Sequence, residues 1–225
     1  MSKKESTLTN MIVSLALIAV LAAAALAGVY LLTKDSIDNV QAQKKQSALN
    51  AVLPGFDGSI VPVPTTVPGD KDPVTVNVAV TKDNTLFGAA VETYTNKAFG
   101  GTFTLMVGFD VNGNILGTEV IKASETPGLG DKINKNKSNF AEQFVNMNPS
   151  ASNFDLKVKK DGGEVDAITA ATISSRAYCD AVNRAAMAFQ GVKEIALPKV
   201  LPNLKIESNN APVEIEAEEK GADNE

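Results

Sequence analysis

The chain has 225 residues, 44% of them hydrophobic, with 21 Lys and Arg against 26 Asp and Glu for a net charge of -5, no His and one Cys. Without His, and with a single thiol, no zinc or haem ligand set, CxxC pair, Ser-His triad or internal disulfide can be assembled, so no metal ligand and no side-chain catalytic residue is assigned. The net negative charge and an acidic C-terminal end exclude nucleic acid as a partner.

From Met11 to Leu32 no residue is charged and nearly all are apolar or small. At a rise of ~1.5 Å per residue such a run crosses a hydrocarbon core of roughly 30 Å, which predicts a transmembrane helix over 11–32. Ala25-Leu26-Ala27 resembles a cleavage site, but the apolar run continues through Val29-Tyr30-Leu31-Leu32, beyond the roughly 7–15 residues of a cleaved signal. An uncleaved signal anchor is expected, with residues 1–10 as a cytoplasmic tail. Lys3 and Lys4 precede the span and Lys34, Lys44 and Lys45 follow it, so the count of positive charges does not fix orientation. A short basic tail running straight into an apolar stretch is nonetheless the arrangement that leaves the C-terminal part outside the cytoplasm.

Residues 33–73 read as a helical and Pro-rich connector: a helix over Gln41 to Leu53, then Pro54, Pro62, Pro64, Pro68 and Pro73 in a non-helical surface stretch. Residues 74–200 are long enough for one domain with its own core. Partial alternation and β-branched enrichment predict strands over Val74–Val80, Leu86–Tyr94, Gly101–Phe109 and Ile115–Ile121, with Asn112-Gly113 as a hairpin turn. A helix over Asn136–Asn146 and a strand over Phe154–Lys159 come next, and Asp161-Gly162-Gly163 turns the chain. The last helix carries Ile173, Ala177, Ala181, Val182, Ala185 and Phe189 at spacings of three and four, an apolar stripe for packing on a sheet. Residues 201–225, dominated by acids from Glu207, are expected to be disordered. The fold class is α+β: one N-terminal transmembrane helix, then a single domain with a mainly antiparallel sheet packed by helices.

Two segments stand out within this plan. Asp166-Ala167-Ile168-Thr169-Ala170-Ala171-Thr172 is a small-residue turn that runs into the last helix, where unpaired N–H donors and a partial positive charge can hold a phosphate. Thr172 can equally be a plain N-cap, supported by Ser175. Upstream, Ser124-Glu125-Thr126-Pro127-Gly128-Leu129-Gly130 combines a fixed backbone angle at Pro127 with glycines that permit positive φ, so the loop can fold against a flat ring system. Glu125 reads as easily as a solvated loop acid. Cys179 lies one turn after Arg176, a cation that can activate a thiol, but a small packed residue is the preferred reading.

Residues 166–172 resemble the flavinylation motif of membrane-bound electron-transport proteins, an acid, any residue, an aliphatic, Ser or Thr, two small residues and Thr. All seven positions match, with Thr169-Ala170-Ala171 where Ser-Gly-Ala is more usual. The upstream loop is similar to the Glu-Thr-Pro-Gly-Leu-Gly loop of FMN-binding domains, and two motifs in the expected order about forty residues apart are more specific than either alone. Together with the anchor they resemble the RnfG family of the Rnf electron-transport complex, within the wider RnfG/NqrC-like group of covalent FMN-binding domains. The nearest relative by resemblance is NqrC of the sodium-translocating NADH:quinone oxidoreductase. The resemblance implies FMN joined covalently to Thr172 by a flavin transferase. It also implies cofactor contacts from Thr169, Ala170, Ala171, Glu125, Thr126, Gly128 and Leu129, and other membrane subunits as partners. The implied role is electron relay between ferredoxin and NAD coupled to ion transport, from a domain outside the inner membrane. No Gly-rich dinucleotide fingerprint is present, so the nicotinamide is expected on another subunit. A stand-alone flavinylated electron carrier, and a cofactor-free anchored binding module with Thr172 as a cap, are the competing readings.

Overall fold

The structure is a computed structural model that describes residues 7–68, 73–149 and 156–196. The expected acidic tail, and Phe154 and Asp155 of the expected fifth strand, lie outside the described residues. The chain divides into two compact units between Ser47 and Ala48.

Helix α1 runs Leu8–Val52, so the span and the expected connector helix are one element. No proline interrupts 8–52, and the polar stretch after Leu32 is rich in helix formers such as Lys, Gln and Ala. Pro54 then stops it. The large apolar side chains from Leu8 to Leu32 are all exposed, as a helix sheathed by lipid requires. At the other end Ala48 and Val52 are buried in the second unit.

That unit is built on five antiparallel strands, β1 Gly58–Thr65, β2 Val74–Thr81, β3 Leu86–Ala98, β4 Gly101–Asp110 and β5 Ile115–Lys122, in the order of the chain. Four of them match expectation. The Asn112-Gly113 hairpin closes with Gly113 N–H donating to Asp110 O at 3.1 Å, Gly113 at φ +92°, and the Asp110 carboxylate accepting from the Asn112 and Asn114 N–H groups. Strand β1 corrects the connector reading. Pro62 pairs with Asn77 and Pro64 with Thr75, in the one place a sheet tolerates proline, an edge. Both lie in the same phase of the strand, so the N–H groups they lack are on the outer edge, which a further strand cannot readily extend.

Helix α2, Thr172–Gly191, lies across one face of the sheet. Ala177, Ala181, Val182, Ala185 and Phe189 are buried against Val76, Val91, Phe103, Leu105 and Phe109, and Phe109 and Phe189 stack with centroids 5.1 Å apart. From Ala177 onward the stripe read from the sequence is therefore the core face, whereas Ile173, expected to pack with it, is exposed. The end of α1 covers the other face, where Ala48, Val52 and Leu53 meet Ala79, Ala90 and Met106. Gly108 allows that approach, since a β-carbon there would overlap the Val52 carbonyl.

No helix forms over 136–146. One 3-10 turn, Phe140–Phe144, lies in that stretch, and another, Gly130–Ile133, precedes it. Short polar side chains bind the backbone leading into and entering that stretch: Asn134 Nδ2 donates to Asp131 O at 2.7 Å, and Ser138 Oγ donates to Lys132 O at 2.6 Å and accepts the Phe140 N–H at 3.1 Å, a bond that competes with a helical one. The apolar residues among them, Ile133, Phe140 and Phe144, still reach the core. In the described part of the expected Phe154–Lys159 strand, pairing is reduced to one parallel bridge, Val158 with Val165, before a 3-10 turn at Lys159–Asp161.

Candidate functional site

A cleft of 330 Å³ opens where three segments meet: the β3–β4 turn, the loop 124–130 and the start of α2. Phe99, Glu125, Thr126, Leu129, Gly130, Ala170, Ala171, Thr172, Ile173 and Ser174 line it. A larger cavity of 690 Å³ lies between the prolines flanking β1 and the far end of α2, but no motif residue reaches it. The smaller cleft is where the two sequence motifs converge.

Thr172 is the first residue of α2 and is not its cap. The cap position is Ala171, and no side chain bonds the free N–H groups there. Ser175 instead turns back on the preceding loop, its hydroxyl donating to Ala171 O at 3.0 Å and accepting the Ile168 N–H at 2.9 Å. The first backbone bond into the helix is Ser175 N–H to Ala171 O, so the N–H groups of Thr172, Ile173 and Ser174 have no acceptor among the described residues, and the Thr172 hydroxyl has no partner among them. That is a half-buried nucleophilic oxygen beside free donors at the positive end of a helix of 20 residues. Ala170, two residues before it, has φ +62°. Left-handed backbone favours glycine, which gives a physical reason for the glycine more usual at that position.

The upstream loop is tight. Thr126 O accepts from the N–H groups of Leu129 and Asp131, with Gly128 at φ +76°. Glu125 is not a solvated acid; it is only 8% exposed, its Oε1 accepting from Gly100 N–H at 2.9 Å and its Oε2 from the Ser174 hydroxyl at 2.5 Å. One carboxylate thus ties together all three segments that form the cleft. A β-carbon at Gly130 would overlap both Glu125 Oε2 and Ser174 Oγ.

Of the residues named from sequence, Glu125, Thr126, Leu129, Ala170, Ala171 and Thr172 are brought together in the cleft wall, whereas Gly128 and the exposed Thr169 are not part of it. Sequence reasoning missed Phe99, Ile173 and Ser174. Outside α1, the large apolar side chains left exposed among the described residues are Phe99, Leu129, Ile173 and Met187, and the first three ring this one cleft. An aromatic residue immediately before Gly100-Gly101 was the available signal for Phe99.

Nearby polar groups are structural. Arg176 forms a two-point pair with Asp161 (2.7 and 2.6 Å), which holds the Asp161 carboxyl below its ordinary range. Engaged in that way, the guanidinium does not activate Cys179, whose thiol is pushed up to about 12 by burial. The packed-residue reading of Cys179 holds. Tyr178, fully buried in the core among Phe103, Phe140 and Phe144, donates to Thr118 Oγ1 at 2.8 Å, and burial raises its pKa.

Comparison with known proteins gives the family and the fold. Residues 98–187 match the FMN-binding domain family, and residues 7–52 match the RnfG N-terminal region. The G subunit of the ion-translocating oxidoreductase complex of Haemophilus influenzae (strain PittEE) is 37% identical over 178 residues, 77% of this chain and 86% of that protein. The protein of the same name from Shewanella amazonensis is 36% identical over 174 residues, 74% and 80% of the two chains. Among solved structures, the C subunit of the Na(+)-translocating NADH-quinone reductase from Parabacteroides distasonis superposes with a TM-score of 0.52, covering 71% of this chain and 96% of that one. At 17% identity that likeness establishes the fold.

Proposed function

The chain belongs to the RnfG family of ion-translocating oxidoreductase complexes, and from that premise we propose that its cleft holds FMN through a phosphoester to the Thr172 hydroxyl. Membership makes it a membrane-associated redox subunit with an FMN-binding domain. The single observation that supports attachment at Thr172 is its unpartnered hydroxyl among the free N–H groups of the first turn of α2. Modification forms a bond from the Thr172 oxygen to the phosphorus of an activated flavin-phosphate donor as that donor's phosphoanhydride P–O bond breaks; the donor's other phosphate half departs with the hydroxyl proton, and the resulting diester leaves one negative charge beside the helix start. Bound there, the flavin supplies one- and two-electron carrier chemistry.

The chain's own groups then have separate tasks. First-turn N–H groups hold the phosphate oxygens. Phe99, Leu129 and Ile173 give the flat ring an apolar surface and keep water from its faces. Thr126 and Gly130, which line the cleft from the tight loop, would offer polar and backbone groups to the ring. Attachment matters for a domain outside the cytoplasm, where free flavin would be diluted away, because a tether makes occupancy independent of external concentration. We place the domain on that side from the basic tail ahead of the span, with a flavin transferase as the maturation partner and membrane subunits of an Rnf-type complex as the redox partners.

Co-expression with a flavin transferase tests the reading. Wild-type protein denatured in detergent retains flavin fluorescence, and Thr172→Val, which keeps the shape and removes the nucleophile, does not. Equal fluorescence in both would place the bond elsewhere.

A further inference from the structure

Among the side chains that line the cleft, Glu125 alone is ionisable. Its two oxygens accept from Gly100 N–H and from the Ser174 hydroxyl, both neutral donors, and none of the ion pairs among the described residues includes it. Those two bonds hold it in place, and Gly130 leaves it the space it occupies. The wall of the open cleft therefore carries a carboxylate that is itself largely shielded from water and is paired with no cation among the described residues.

We propose that Glu125 is a potential-setting residue: a positioned charge that makes the flavin in this cleft harder to reduce, and not a group that anchors the cofactor. This rests on the FMN reading above. Two-electron reduction takes FMN, two electrons and one proton to FMNH−, which adds one negative charge to the ring, the electrons coming from the reductant used in the titration. A like charge nearby in a low-dielectric wall opposes that change, while leaving the oxidised, uncharged ring unaffected. Anchoring is already supplied by the covalent oxygen and the free N–H groups of α2, neither of which Glu125 touches. The carboxylate would in fact repel a phosphate.

The test uses full-length protein, loaded by co-expression with a flavin transferase, as wild type, Glu125→Gln and Ser174→Ala. Gln keeps the shape of the strut and removes its charge. Ala at 174 loosens the same strut and keeps the charge. Reductive titration against a redox dye, read by flavin absorbance, is expected to show the Glu125→Gln equilibrium shifted about tenfold or more towards reduced flavin, about 30 mV for a two-electron couple. The Ser174→Ala equilibrium does not move in that direction. A Glu125→Gln potential equal to or below wild type overturns the proposal, and so does an equal upward shift in both variants, which marks a purely structural role. Should Glu125→Gln fail to fold or load, the reduced-minus-oxidised infrared spectrum of wild type labelled with carboxyl-13C glutamate decides. An ionised carboxylate band that moves with both label and reduction supports the proposal, and its absence overturns it. Wild type without flavin would sink the FMN reading itself, whereas loaded wild type with an unshifted Glu125→Gln sinks this inference alone.

Discussion

Gly130 is the residue on which the shape of the cleft turns, and replacing it with alanine isolates one contact. Its φ is not in the left-handed region, so backbone strain does not enter. What enters is space: the new methyl would overlap Glu125 Oε2 and Ser174 Oγ and lie 3.1 Å from Glu125 Cβ. The surrounding backbone is pinned by Asp131 N–H to Thr126 O, so the side chains must yield. If Glu125 swings away it gives up its bonds to Ser174 and Gly100, and hydrogen bonds to a charged group contribute about 1.5–3 kcal/mol. Gly130→Ala is therefore expected to destabilise the second unit by about 2–3 kcal/mol, measured by urea unfolding of the full-length protein in detergent with Tyr and flavin signals compared. In a Ser174→Ala background the same substitution should cost at least about 1 kcal/mol less, because one clashing atom and one of the bonds at stake are already gone. A loss below about 0.5 kcal/mol, or full additivity of the two changes, would refute the picture of a strut that needs that gap.

Two further expectations follow from local geometry. Ala170→Gly should stabilise the fold by roughly 0.5–1 kcal/mol, since relief of a left-handed alanine at about 1–2 kcal/mol exceeds the added chain entropy of glycine at about 0.4–1; the denaturation midpoint rises and flavin loading is retained, while a fall in the midpoint would contradict the assigned backbone. Cys179, buried and with its thiol pushed up to about 12, should resist alkylation at pH 8 in the folded protein and react fully once unfolded. Rapid labelling without unfolding would show that the thiol is accessible.

Much of this fold was legible in the chain. The uncharged run over 11–32, the alternation in β2 to β5, Asn112-Gly113 and the stripe on α2 each have a period or a turn chemistry of their own. What failed did so for identifiable reasons. Pro62 and Pro64 hid β1, because proline signals a break unless the strand is known to lie at an edge. Ser138 binds the Phe140 N–H inside the apparent helix over 136–146, and a 3-10 turn forms there instead. At the site, motif residues could be named, but their roles depended on what crossed from other segments. Glu125 looks solvated in sequence and is buried because Gly100 and Ser174, distant along the chain, satisfy it. Phe99 carries only the weak signal of an aromatic before Gly100-Gly101, and its role shows in its exposure beside Leu129 and Ile173.

The central claim is a covalent bond at one side-chain oxygen, and mass analysis of the protein purified from its host addresses it directly. Trypsin releases Asp161 to Arg176 as a single peptide that contains Thr172. Its mass should exceed that of the unmodified sequence by one FMN less one water, with fragmentation placing the addition on Thr172. The same peptide recovered wholly unmodified, or carrying the flavin on Thr169, Ser174 or Ser175, would contradict the account.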